Sequence, residues 1–168
     1  MIERLKRVDE DADLMFDDDS RFSMIIVGGG ALILLNKITR ATQDIDVIEV
    51  SHEIYSLLEK YDINCNVQAY SSNFPYNFED RIVKLQIESR KIDFYCASLE
   101  DIVISKLHSN RDTDRQDVLS PGVIQALDWD ILDHLARSED EAKANSLNER
   151  SYSDFLADYE EYVRRCKP

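Results

Sequence analysis
The sequence lacks any cysteine pair at the short spacing of a zinc site or a disulfide framework: Cys65, Cys96 and Cys166 are odd in number and far apart. A reducing cytoplasm is therefore expected. No apolar signal core follows the charged stretch Met1 to Arg7, and the longest apolar run, Ala31 to Leu35, is far too short to span a bilayer. Neither secretion nor membrane embedding is expected. Basic charge is also scarce, with 34 acidic against 20 basic side chains and a net charge of −14. Such a charge repels nucleic acid at long range, so an RNA or DNA substrate needs a local basic patch that the total conceals. A small molecule or a basic protein suits it better. No internal repeat or low-complexity linker divides the chain.

What remains is a chain of 168 residues and 43% hydrophobic content, long enough to bury roughly two-thirds of the surface its unfolded form exposes. Leu5, Val8, Ala12, Met15 and Phe16 recur at helical spacing and predict an amphipathic helix over 2–17. The apolar run Met24 to Val27 reads as a buried strand, three glycines as a turn, and Ala31 to Lys37 as the start of a helix. Asp44 to Val50 alternates acids with Ile and Val as a strand does, and Glu53 to Tyr61 reads as a helix. Arg81 to Glu88 and Lys91 to Cys96 suggest a hairpin. Ser98 and Asp101 resemble a capping box that opens a helix through about Ser109. From Thr113 the chain reads as helical, broken at Pro121-Gly122 and around Asn145 to Arg150. The expectation is one α/β or α+β domain, a small mixed sheet with flanking helices: residues 1–112 form the core with its N-terminal helix, and 113–168 a helical C-terminal tail packed on it.

The chemistry concentrates in two segments. A glycine turn between strand and helix, Gly28-Gly29-Gly30, lets backbone N–H groups approach a phosphate closely. Asp44 and Asp46 stand two apart on a strand, so both carboxylates face one side, about 7 Å apart along the chain. Two like charges so placed are costly without a cation between them. Mg²⁺ (or Mn²⁺), a hard ion that takes carboxylates, water and phosphate, fits. Asp93, flanked by Ile92 and Phe94 in a predicted strand, is a candidate third acid for a two-metal site. Lys106 falls on the apolar stripe of its helix, seven residues after Leu99, and should point inward. There its ammonium either meets a ligand or snorkels to water. Asp114 and Asp117 read as a helix cap with its partner. His52, His108 and His134 lack ligand spacing. A bulky Ile33 stands where a dinucleotide fold needs a third small residue, and no Gly-Lys-Ser/Thr follows the glycines, which excludes a P-loop.

The order apolar residue, Gly-Gly, Asp-x-Asp and a later strand acid resembles the nucleotidyltransferase superfamily. The segments Gly28-Gly29-Gly30-Ala31-Leu32, Arg40, Thr42, Asp44-Ile45-Asp46, Lys106-Leu107, Arg111, Asp114 and Asp117 look like its AbiEii-like toxin branch. The likeness covers roughly residues 24–118. It implies transfer of a nucleoside monophosphate from an NTP to a hydroxyl on tRNA, protein or a small molecule. Asp44 and Asp46 would hold metal, and Asp93 would complete the site and serve as base. Gly28, Gly29, Gly30, Arg40, Thr42 and Lys106 would surround the nucleotide, Lys106 meeting the triphosphate. A toxin role implies an antitoxin partner. Two other readings stand beside it. One is a catalytically inactive nucleotide- or protein-binding module of the same fold. The other is a homo-oligomer built on the stripe Tyr152, Phe155, Tyr159 and Tyr162, which is more often intramolecular core.

Overall fold
The computed structural model describes residues 1–168, apart from the side chains of residues 68–70. Helix α1 (Ile2–Met15) leads into β1 (Phe22–Val27), α2 (Gly28–Leu34) and β2 (Ile45–Ile48). Then follow α3 (Tyr55–Lys60), β3 (Ile63–Asn64), β4 (Val83–Lys84), β5 (Ile92–Cys96) and α4 (Leu99–Leu107). Five helices complete the chain: α5 (Asp112–Val118), α6 (Pro121–Ile124), α7 (Trp129–Arg137), α8 (Ala142–Asn145) and α9 (Glu149–Cys166). The five strands form one mixed sheet in the order β3-β2-β1-β5-β4, so the expected α+β architecture holds.

Pairing explains how the sheet keeps its register. β1 runs antiparallel to β2, with Ile26 opposite Val47 and Val27 opposite Asp46, and parallel to β5, with Met24 opposite Phe94. Period-two alternation then gathers Met24, Ile26, Ile45, Val47, Ile92 and Phe94 on one face, and all six are buried. The other face carries Ser23, Asp46 and Asp93 beside the buried Ile25, Val27 and Ile48. A one-residue slip would exchange these sets and turn Asp46 and Asp93 into the fully buried face, at the cost of burying unpaired charges. Apolar burial therefore fixes where the acids point.

Asp9 of α1 locks the far end of the sheet. Its buried carboxylate accepts the backbone N–H groups of Arg90, Lys91 and Ile92 at 2.7, 2.8 and 2.8 Å. Those donors belong to a helix contact and not to a hairpin ladder, which is why the expected long hairpin shrinks to Val83–Lys84 against Tyr95 and Cys96. Ser98 caps α4 by accepting the Asp101 N–H at 3.1 Å. The Asp101 carboxylate does not complete a capping box; it takes the Ser98 hydroxyl at 2.6 Å and pairs with Arg81 at 2.9 Å.

Pro121 and Gly122 open α6, a short break as expected, and Asn148 caps α9 by accepting the Ser151 N–H at 2.9 Å. The aromatic stripe of α9 turns inward: Phe155, Tyr159 and Tyr162 are buried, and the Tyr162 hydroxyl donates to the Val118 carbonyl at 2.9 Å. The stripe is thus core and not an oligomer seam. Cys65, Cys96 and Cys166 are unpaired, and burial pushes the Cys96 thiol up to about 12. Among the described residues, no helix is long and apolar enough to cross a membrane.

Candidate functional site
At the end of β1 the chain turns at Gly28, whose φ of +66° falls in the left-handed region that favours glycine. A Cβ there would stand 3.2 Å from Asp46 Oδ2, so the carboxylate reaches over the turn itself. Gly29 is small for a different reason, since its Cβ would stand 2.5 Å from Arg40 Nη2. The glycines belong to the first turn of α2, three residues earlier than the sequence suggests. That helix has only seven residues, so any cradle depends on the turn and its cations more than on a dipole.

Asp46 sits beside Asn64 in the pairing of β2 with β3, and its Oδ1 accepts from Asn64 Nδ2 at 2.8 Å. Asp44 lies just before β2, exposed, and its backbone N–H donates to Thr42 Oγ1 at 3.3 Å. Thr42 therefore shapes the approach to the acid pair. Both acids line a small cleft of about 200 Å³ behind the glycine turn.

Two of the three cations come from the other half of the chain. Lys106, in the last turn of α4, is 5% exposed, with its ammonium bound to Asp114 Oδ1 and, at 2.9 Å, to Asp117 Oδ2. It does point inward, but it neither snorkels nor stands free. Arg40 closes on Asp117 with two bonds, Nε to Oδ1 at 2.6 Å and Nη2 to Oδ2 at 2.8 Å. Burial alone would push the Asp117 carboxyl up; the hydrogen bonds from Arg40 and Lys106 outweigh it and hold the group below its ordinary value. Asp114 and Asp117 are therefore anchors for cations, and no side chain caps α5. Arg111 stands mostly in solvent, its Nε 3.7 Å from Asp114 Oδ2.

A larger cleft of about 550 Å³ adjoins the small one, with Val27, Ile48 and Phe74 among its apolar walls and Asn64, Ser105 and Asn110 among its polar ones. His108 lines it too, stacked on Phe155 of α9 with ring centroids 4.1 Å apart. Its Nε2 is, among the described residues, the one buried side-chain nitrogen or oxygen without a partner, and burial pulls its pKa down to about 4. No ligand-like spacing marked this histidine in the sequence. Asn64 was equally silent there, being one polar residue in a short strand.

Asp93 is not brought to this cleft. Its register partner is Ser23, four residues below the Val27 that faces Asp46, which places it about 13 Å away along β1 and two strands across. Its Oδ1 pairs with Lys84 Nζ at 2.8 Å. Among the described residues, no three His, Cys, Asp or Glu side chains lie close enough together to hold a metal. Asp44 and Asp46 remain as a two-carboxylate set. That number suits Mg²⁺, which takes one or two carboxylates and fills its octahedron with water and substrate phosphate.

A family model described as nucleotidyltransferase of unknown function (DUF6036) matches residues 3–167, nearly the whole chain. No curated protein and no solved structure matches. The chain belongs to this family.

Proposed function
We propose that this nucleotidyltransferase-family chain moves a nucleoside monophosphate from an NTP to a hydroxyl acceptor with the help of Mg²⁺ or Mn²⁺. One observation carries the reading: Gly28, Asp46, Lys106, Arg111 and Asp114, from segments some sixty residues apart in sequence, line both the small polar cleft and the larger one beside it. The small cleft is the place for phosphates, between the acid pair and the cations. The larger one, with apolar walls and amide edges, suits a nucleoside, since ligand pockets combine apolar lining with a few convergent polar groups. Bound at Asp44 and Asp46, the metal would neutralise charge on the transferring phosphate. Lys106 and Arg111 would meet the leaving pyrophosphate, and Arg40 would hold Asp117 in place behind them.

A second reading, a nucleotide-binding module without turnover, draws on the distance of Asp93 from the cleft. The motif likeness to the AbiEii-like branch supports a toxin paired with an antitoxin; arrested growth on expression, relieved by a neighbouring gene product, tests that role. For the chemistry, each NTP with Mg²⁺ should raise the melting temperature by mass action, and α-labelled NTP should mark RNA, protein or a small molecule in a cell extract. Stabilisation without labelling favours the binding module, and neither result with any NTP overturns both readings.

A further inference from the structure
We infer that Asp114 is the base that takes the proton from the acceptor hydroxyl, an inference that rests on the transferase reading above. The reacting oxygen must sit where the phosphate cleft meets the nucleoside cleft, and five residues line both: Gly28, Asp46, Lys106, Arg111 and Asp114. Gly28 offers no side chain. Asp46 faces the glycine turn, accepts from Asn64 and is committed with Asp44 to the cation. Lys106 and Arg111 are cations with no lone pair to give. Asp114 is the group left that can accept a proton.

The division between the two acids of α5 supports this. Asp117 is 1% exposed, and both its oxygens are occupied by Arg40 and Lys106. Asp114 gives Oδ1 to Lys106, while its Oδ2 has only Arg111 nearby, at 3.7 Å, beyond hydrogen-bond reach. One acid is fully engaged in structure, and the other keeps an oxygen free beside the cleft. Asp93, two strands from Asp46 and tied to Lys84 of the neighbouring strand, cannot serve. His108 lines the larger cleft alone, with Nε2 enclosed.

The step balances within these groups. The acceptor O–H bond breaks and its proton passes to Asp114 Oδ2. The oxygen lone pair forms the bond to the α-phosphorus. The bond from that phosphorus to the β-phosphate bridging oxygen breaks, and its electron pair leaves with pyrophosphate, whose charge Lys106 and Arg111 meet.

The test compares wild type, Asp114→Asn and Asp114→Glu by three readouts: thermal melting, affinity for a Mg²⁺-bound non-hydrolysable NTP analogue, and transfer of label from α-labelled NTP to cell extract. Asp114→Asn is expected to cut the transfer rate about 10²–10⁴-fold while nucleotide affinity changes little and melting falls only in part, since Lys106 keeps Asp117. Asp114→Glu, which keeps a charge beside Lys106, should recover part of the rate. Transfer by Asp114→Asn within about threefold of wild type overturns the inference. So does a loss of affinity in proportion to rate, the mark of a merely structural partner of Lys106. Should Asp114→Asn fail to fold, Asp114→Glu decides, because a displaced base lowers kcat at constant KM and an unchanged kcat overturns the assignment. A wild type that neither binds nor transfers sinks the transferase reading itself, a distinct failure.

Discussion
Arg40 grips Asp117 through two parallel hydrogen bonds, of 2.6 and 2.8 Å, across 77 residues of chain. Lys106 shares the same carboxylate. These two cations of the small cleft are thus fixed by an acid that itself faces no solvent, and the glycine turn lies against the guanidinium. In the proposed transfer, preorganisation of this kind would spare the site from reorienting charges at the moment of reaction.

The acid pair should behave as a cation site and not as structure. Asp44→Asn and Asp46→Asn are each expected to cut transfer by about 10²-fold or more, as loss of an electrostatic stabiliser does. In chelator each variant should melt at or above the parent temperature, because neutralising one carboxylate removes repulsion. Melting well below the parent in both would assign these residues to structure.

Asp93→Asn makes the opposite contrast. Its pair with Lys84 is exposed, and both transfer and melting temperature should stay near those of the parent. A collapse of activity in this variant would return Asp93 to the chemistry, through a rearrangement of β5.

Lys106→Met should destabilise the fold by roughly 3–5 kcal/mol, because it leaves Asp114 and Asp117 facing each other with one ammonium gone. Urea unfolding measures this. Adding Asp114→Asn to Lys106→Met should restore part of the loss, the signature of coupled neighbours. An unchanged midpoint in Lys106→Met would mean that the ammonium is not held.

His108 gives a pH dependence with a definite sign. Its folded pKa, about 4, lies below the ordinary 6.5, so between these values the unfolded chain binds more protons. The stability His108 contributes is complete above about pH 6.5 and drains away as pH falls toward 4, by roughly 3 kcal/mol at the lower end. The slope of melting temperature against pH over this window should be shallower in His108→Phe than in the parent. Equal slopes would place the imidazole in water.

The parts of the site that could be read from sequence are those set by local geometry. Gly28, Asp44 and Asp46 lie within nineteen residues, and their spacing predicts both acids on one side; Asp44 stands just outside β2 yet lines the same small cleft as Asp46. The inward aim of Lys106 followed from its helical stripe. What it met there did not, because Asp114 and Asp117 look the same in sequence whether they cap a helix or hold a lysine. The place of Asp93 depends on how far β5 slides along β1. That register is set by apolar faces and by Asp9 across more than eighty residues, and no local pattern reports it. Asn64 and His108 act only through neighbours brought by folding.

The span between Arg40 and Asp117 has a consequence in time. The first half of the chain, as it leaves the ribosome, carries the glycines and the acid pair but none of α4 or α5. Without them Arg40 has no Asp117 to hold it, and under the proposed transfer a triphosphate would lack both Lys106 and Arg111. Under the proposed function a nascent or prematurely ended chain would therefore be chemically silent, and competence would arrive together with closure of the core.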